Sequence, residues 1–284
     1  MKRHQLMALT ALALLAFAGN SLLCRAALRD TGIDAGSFTA IRLCSGALVL
    51  WLLVRLRLGL PSGQGSWLSA LALFTYAATF SFAYLQLSAA TGALLLFGAV
   101  QASMIGWGLV KGERLSGVQS IGLVLAISGL IGLLLPGLSA PPVGSAVWMI
   151  VAGIAWGIYS LRGRGAGDPT RVTAGNFLRT VPMALLLALF FFKPSALNTQ
   201  GIIYAMASGA ITSGMGYALW YAALPLLRSS TAATLQLSVP VITAAGGMLL
   251  LGEPPTWRLL LSALTILGGI ALVIRPAHKP QGAQ

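Results

Sequence analysis

The sequence predicts an all-α integral membrane protein, ten transmembrane helices arranged as two inverted-topology five-helix repeats. Three observations predict it. Of the 284 residues, 57% are hydrophobic and only 8% charged, against about 25% charged in a soluble domain, so the chain lacks the polar exterior that water requires. Ten apolar runs of about 18 to 22 residues are each long enough to cross a hydrocarbon core roughly 30 Å thick as a helix. The chain also aligns with itself at a shift of 137 to 140 residues. This composition excludes disorder, which needs an apolar-poor chain, and two cysteines, Cys24 and Cys44, are too few for a disulfide scaffold.

The predicted spans are 6–28, 35–54, 67–87, 91–110, 116–135, 144–161, 172–192, 201–222, 230–251 and 256–274. The first opens on Lys2 and Arg3 and contains Ala16-Phe17-Ala18, features shared with a cleaved secretory signal, but the repeat needs this span. The second carries Arg42 and is separated from the third by the breaker cluster Pro61 to Gly65. The fourth ends at Gly112-Glu113, and Pro136 to Gly144 divides the fifth span from the sixth. Pro182 in the seventh and Pro240 in the ninth remove helix hydrogen bonds and mark candidate bends. Gly153 and Gly157 have the spacing for close helix packing, while Gly214, Gly216, Gly246 and Gly247 fall near further possible bends.

The repeat rests on particular landmarks. Gly19 and Asp30 fall on Gly157 and Asp168 at a shift of 138, Arg42 on Arg179 at 137, and Thr91 and Gly112-Glu113 on Thr231 and Gly252-Glu253 at 140. The halves are therefore residues 1–138 and 139–284. Five spans per copy invert the second copy relative to the first, an architecture that places a substrate site at the repeat interface near mid-membrane.

The net charge of +13 comes from 18 Lys and Arg against 5 Asp and Glu. With the N-terminus inside, twelve of the basic residues fall on the cytoplasmic side: Lys2, Arg3, Arg55, Arg57, Lys111, Arg114, Arg162, Arg164, Arg171, Arg228, Arg275 and Lys279. Only Arg25, Arg29, Lys193 and Arg258 fall outside, and Arg42 and Arg179 lie within or near the ends of spans. The positive-inside rule then puts both termini in the cytoplasm, with an inner membrane as the location. Basic loops suit anionic headgroups, so the expected partners are the bilayer and a small-molecule substrate, without nucleic acid. Nothing in the sequence fixes monomer or dimer.

At Phe38-Thr39-Ala40-Ile41-Arg42, Ser88-Ala89-Ala90-Thr91 and Gly112-Glu113, then at Ser229-Ser230-Thr231-Ala232-Ala233, Ser238-Val239-Pro240 and Leu251-Gly252-Glu253, the chain resembles the EamA-type branch of the drug/metabolite transporter superfamily. The resemblance covers nearly the whole chain. It implies ten helices and export of amino acids or other small metabolites. The proline usual in the fourth span is absent, its counterpart being Pro240 in the ninth.

Candidate substrate-binding residues begin with an aromatic stripe in the third span, where Tyr76, Phe80 and Tyr84 stand at i, i+4 and i+8. A shift of 137 maps them onto Ser213, Tyr217 and Tyr221 in the eighth span, so two related helices present rings and hydroxyls suited to an amphipathic ligand. Packing or interfacial anchoring is the competing role. Phe97, Trp156 and Tyr159 add apolar wall, with Trp156 favoured over Trp107, which has the position of an interfacial anchor. Among buried polar residues, Asn20, Gln101, Asn176 and Gln236, with Ser238, are suited either to a substrate's charged groups or to interhelical hydrogen bonds. Two readings of Arg42 stand: recognition of a carboxylate, or structural pairing with Asp30, Asp34 or helix-end carbonyls near the outer surface. Arg179 shares both. Glu113 and Glu253 follow helix-ending glycines and read as ordinary caps of the turns they occupy.

No zinc-ligand spacing, paired intramembrane carboxylate or nucleophile with its base is evident, so neither catalysis nor a metal or cofactor is expected. None of the acidic residues falls in the middle of a predicted span. Since a proton relay needs such groups, the sequence favours alternating access by facilitated diffusion or exchange over proton-coupled antiport.

Overall fold

Ten apolar helices carry the chain in the computed structural model, which describes residues 3–58, 64–137, 140–163, 167–192, 198–227, 232 and 235–274. They are α1 (Arg3–Asp30), α2 (Ala35–Leu58), α3 (Trp67–Tyr84), α4 (Ala89–Val110), α5 (Gly117–Leu134), α6 (Val143–Gly163), α7 (Pro169–Phe191), α8 (Thr199–Ala223), α9 (Ser238–Leu251) and α10 (Trp257–Ile274). Nine of these are long and apolar enough to span a membrane, and no strand occurs among the described residues. The chain is a multi-pass membrane protein. Several charged positions of the sequence reading, namely Lys2, Arg164, Lys193, Arg228, Arg275 and Lys279, lie outside the described residues, as do Ser229 to Thr231 and Ala233.

Local chemistry sets the helix starts. Ser66, Ser88 and Asn198 accept bonds from the backbone N–H groups of Ser69, Thr91 and Gly201, which would otherwise go unsatisfied in the first turns of α3, α4 and α8. Ser116 and Gln119 form a reciprocal capping box at α5. Asp168 caps α7, with Pro169 in its first turn, where no N–H is needed. At the other end of α9, Gly252 takes φ +62 and ends the helix in the left-handed region.

Two helices depart from the predicted spans. The eighth is interrupted over Ser208–Met215 by a π-helical segment, whereas the matching stretch of α3 is regular α-helix. In the ninth, Leu235 and Gln236 are helical, Leu237 is a turn, and α9 begins at Ser238 and runs only 14 residues. Pro240 therefore stands in the first turn of α9, three residues past the break at Leu237, so the interruption expected of the ninth span falls beside this proline, whose missing N–H costs no bond there. Pro182 does lie inside α7.

In the packing, α5 lies against α10, α2 against α7 and α8, α3 against α6 and α7, α4 against α6 and α9, and α1 against α8 and α9. Close contact between α6 and α4 depends on Gly153, where a Cβ would fall 2.7 Å from the Leu96 carbonyl oxygen. The outward faces keep large apolar side chains exposed, among them Leu189, Phe190, Leu249 and Leu264, as a lipid-facing surface requires.

Candidate functional site

Six helical segments converge on one central cavity. Its wall is formed by Phe17, Asn20 and Ser21 of α1, Tyr76 and Phe80 of α3, Leu96, Phe97 and Val100 of α4, Trp156 of α6, Thr212 and Tyr217 of α8, and Gln236 before α9. Trp156 is the hub of the rings: its centroid lies 4.8 Å from Tyr76, 5.1 Å from Tyr217 and 5.4 Å from Tyr159. The rings close so tightly that the interior has room for only about two waters.

Behind this wall is a polar cluster organised by Tyr76. Its phenolic oxygen accepts from Asn20 Nδ2 (3.2 Å) and from an Arg42 Nη2 hydrogen (3.1 Å). The amide oxygen of Asn20 in turn accepts from Ser208 Oγ (2.8 Å) and Thr212 Oγ1 (3.5 Å). Arg42 also donates from Nε to Ser213 Oγ (3.3 Å). Its guanidinium carbon stands 5.3 Å from the Tyr76 ring centroid and 4.9 Å from that of Phe80, the geometry of a cation resting on aromatic faces. Arg42 is 1% exposed, and its Nη1 has no hydrogen-bond partner among the described residues.

The π-helical segment explains how α8 supplies three hydroxyls to this cluster. An extra residue per turn widens the helix locally, and Thr212 Oγ1 bonds back to the Ser208 carbonyl (2.8 Å). Gly209 sits flush on α2, since a Cβ there would fall on the Arg42 carbonyl oxygen and the Ser45 hydroxyl. Ser208, Thr212 and Ser213 are all buried as a result.

Of the sequence candidates, Asn20, Tyr76, Phe80, Phe97, Trp156, Tyr217 and Gln236 line the cavity, whereas Tyr84, Gln101, Tyr159, Asn176, Tyr221 and Ser238 do not. Tyr84 is fully buried beyond it, donating to the Ala89 carbonyl (3.3 Å) and resting edge-on against Phe80. Tyr159 stacks behind Trp156 and accepts from Asn176 Nδ2 (3.5 Å). Tyr221 packs half-buried against the core. Gln101 lines a separate, mainly apolar recess between α4, α5 and α10. Ser238 donates to the Leu235 carbonyl (2.6 Å) and so closes the turn before α9. Trp107 is 49% exposed, with Lys111 over its ring. Phe17, Ser21, Leu96, Val100 and Thr212 were not among the candidates. The only signal for them was spacing: Phe17, Ser21 and the polar candidate Asn20 share one face of α1, as Leu96, Phe97 and Val100 share one face of α4.

Two of the charged-residue readings need correction. Arg42 pairs with neither Asp30 nor Asp34 nor a helix-end carbonyl near the surface; it points inward to hydroxyls, because Tyr76 and Ser213 lie within its reach. Glu253 does not cap the helix that follows it. Its Oε2 accepts from Ala89 N (2.7 Å), at the start of α4, and its Oε1 pairs with Arg25 Nε (3.0 Å). Arg179 donates to the Gly175 and Gln64 carbonyls, and Asn176 accepts from the Ser66 backbone N–H, both structural links. No cluster of metal ligands is found among the described residues.

The model of the EamA-like transporter family matches residues 144–275. An uncharacterized protein of Pseudomonas aeruginosa is 58% identical over 94% of this chain and 94% of its own length. An uncharacterized transporter of Archaeoglobus fulgidus is 28% identical over 98% of this chain and 99% of its own. Among solved structures, a protein crystal structure of 17% identity superposes with a TM-score of 0.67 over 96% of this chain and 98% of that one, which shows a shared fold.

Proposed function

The chain belongs to the EamA-like transporter family of the drug/metabolite transporter superfamily, and from that premise we propose that it exports amino acids or similar small amphipathic metabolites across an inner membrane by alternating access. The observation that carries this reading is the central cavity, whose wall draws aromatic and polar side chains from helices of both halves of the chain.

The packing supports an inverted repeat. Exchanging α1 with α6, α2 with α7, α3 with α8, α4 with α9 and α5 with α10 turns the α3–α6 contact into α8–α1, α4–α6 into α9–α1, and α2–α8 into α7–α3. All of those pairs are in contact, as are the self-related pairs α2–α7, α4–α9 and α5–α10. A bundle built this way has two packings of similar energy that open to opposite sides. With both termini in the cytoplasm, the Arg25 and Glu253 contact lies at the outer end.

Facilitated diffusion or exchange is favoured over proton coupling. All five carboxylates, Asp30, Asp34, Glu113, Asp168 and Glu253, lie at helix ends or in turns, leaving no acidic proton carrier beside the cavity. The test is counterflow of labelled amino acids in proteoliposomes, with and without an imposed pH gradient. Saturable counterflow indifferent to the gradient is expected; gradient-driven flux would instead select the proton-coupled antiporter, and no counterflow of any amino acid would overturn the substrate class.

A further inference from the structure

We propose that the substrate carries a carboxylate, and that Arg42 and Tyr76 form the site that selects it. The inference rests on the transporter reading above and narrows its substrate class.

Arg42 is a buried cation without a counter-ion. Its bonded partners, Tyr76 and Ser213, are neutral hydroxyls, and the two ion pairs among the described residues are Arg25 with Glu253 and Arg29 with Asp30. A guanidinium serving only to hold helices together would spend all its donors on protein acceptors, since each buried unpaired donor is costly. Here Nη1 has none. The charge is also close to the cavity, because the rings it rests on, Tyr76 and Phe80, are themselves part of the wall. At that depth water screens little, so the positive field reaches whatever occupies the cavity.

Tyr76 supplies a second donor. Its oxygen already accepts from both Asn20 and Arg42, and neither Asn20 Nδ2 nor a guanidinium nitrogen accepts a proton. The Tyr76 proton is thus left for another acceptor, and Tyr76 lines the cavity. The phenol hydrogen on the wall, backed by the guanidinium directly behind it, offers a carboxylate one hydrogen bond and a buried positive charge. Facing them, Phe17, Phe97, Trp156 and Tyr217 suit an apolar or aromatic remainder. An ammonium group finds ring faces there but no carboxylate, so a zwitterion is tolerated and a simple cationic amine is disfavoured.

The experiment compares three aromatic probes as competitors in proteoliposome counterflow and as ligands in thermal-shift titrations: phenylacetate, phenylalanine and the equally sized phenylalaninamide. The two carboxylates are expected to bind and exchange at least about tenfold more strongly than the amide, the scale of a charge-assisted hydrogen bond. Arg42→Gln should collapse that ratio to below about twofold, and Tyr76→Phe should weaken the carboxylates about three- to tenfold more than it weakens the amide. The wild-type ratio stands as a test even where a variant fails to fold. Equal handling of amide and carboxylates overturns the inference while the transporter reading survives. Absence of counterflow for these probes and for all amino acids overturns both.

Discussion

Arg25 Nε lies 3.0 Å from Glu253 Oε1, an ion pair that joins residues 228 positions apart and ties α1 to the turn after α9. The same two side chains reach further. Arg25 Nη1 donates to the carbonyls of Tyr84 and Leu85, and Glu253 Oε2 accepts from the first backbone N–H of α4. One turn along, Arg29 donates to the Leu251 carbonyl (2.8 Å). Four helix ends are therefore latched at one end of the bundle, above the cavity, by a pair only 14% and 10% exposed, where a charge pair is shielded from the screening that weakens surface pairs.

Glu253→Gln should loosen this latch. Cys24, one residue from Arg25 and fully buried, is a natural reporter of opening at that end. In a Cys44→Ser background, labelling of Cys24 by a membrane-impermeant maleimide added outside should accelerate severalfold in the variant, as the closed state loses about 1–3 kcal/mol. An unchanged rate would deny the latch a gating role.

The proposed inverted repeat assigns a counterpart to this pair. Arg162 matches Arg25 at a shift of 137 and Glu113 matches Glu253 at 140. Arg162 instead donates to Ser69 Oγ (3.1 Å) and Ser66 Oγ (3.5 Å), and Glu113 is exposed. Arg162 and Glu113 should pair when the outer end opens. With cysteines at 113 and 162, after removal of Cys24 and Cys44, an oxidant should cross-link the two positions faster when Glu253→Gln is added; equal rates would count against the exchange.

Gly209→Ala should destabilise the fold by about 2–4 kcal/mol, the cost of forcing a methyl group into an occupied space. The added Cβ falls on backbone of α2 and on Ser45, so α8 must move away, carrying Ser213 from Arg42. Melting in detergent measures the first effect. Loss of the preference for carboxylates, with amide binding retained, measures the second.

Trp156→Ala removes the ring that touches Tyr76, Tyr159 and Tyr217, and three aromatic contacts of roughly 0.5–1.5 kcal/mol each go with it. Counterflow should fall at least about tenfold. Trp107→Ala, on an exposed ring, should leave flux within about twofold. Equal losses in the two variants would detach function from the cavity.

The solvent, the number of apolar segments and the self-similarity are legible along the chain alone, because lipid demands a length and a composition that can be read residue by residue. The sequence also placed Tyr76, Phe80 and Tyr84 on one helix face, but eight residues advance an α-helix by about 12 Å and rotate it about 80° past whole turns. Only the neighbours of α3 decide that Tyr76 and Phe80 meet the cavity while Tyr84 meets the start of α4. Gln101 and Gln236 are alike in the sequence, yet α5 and α10 border one and the cavity the other. Arg42 shows the same division most clearly. Its charge within an apolar run was legible, but its direction depended on hydroxyls of Tyr76 and Ser213, 34 and 171 positions away, the second presented by a π-helical segment whose position no local periodicity announces. Span and sign are properties of a chain segment, whereas a partner is a property of packing.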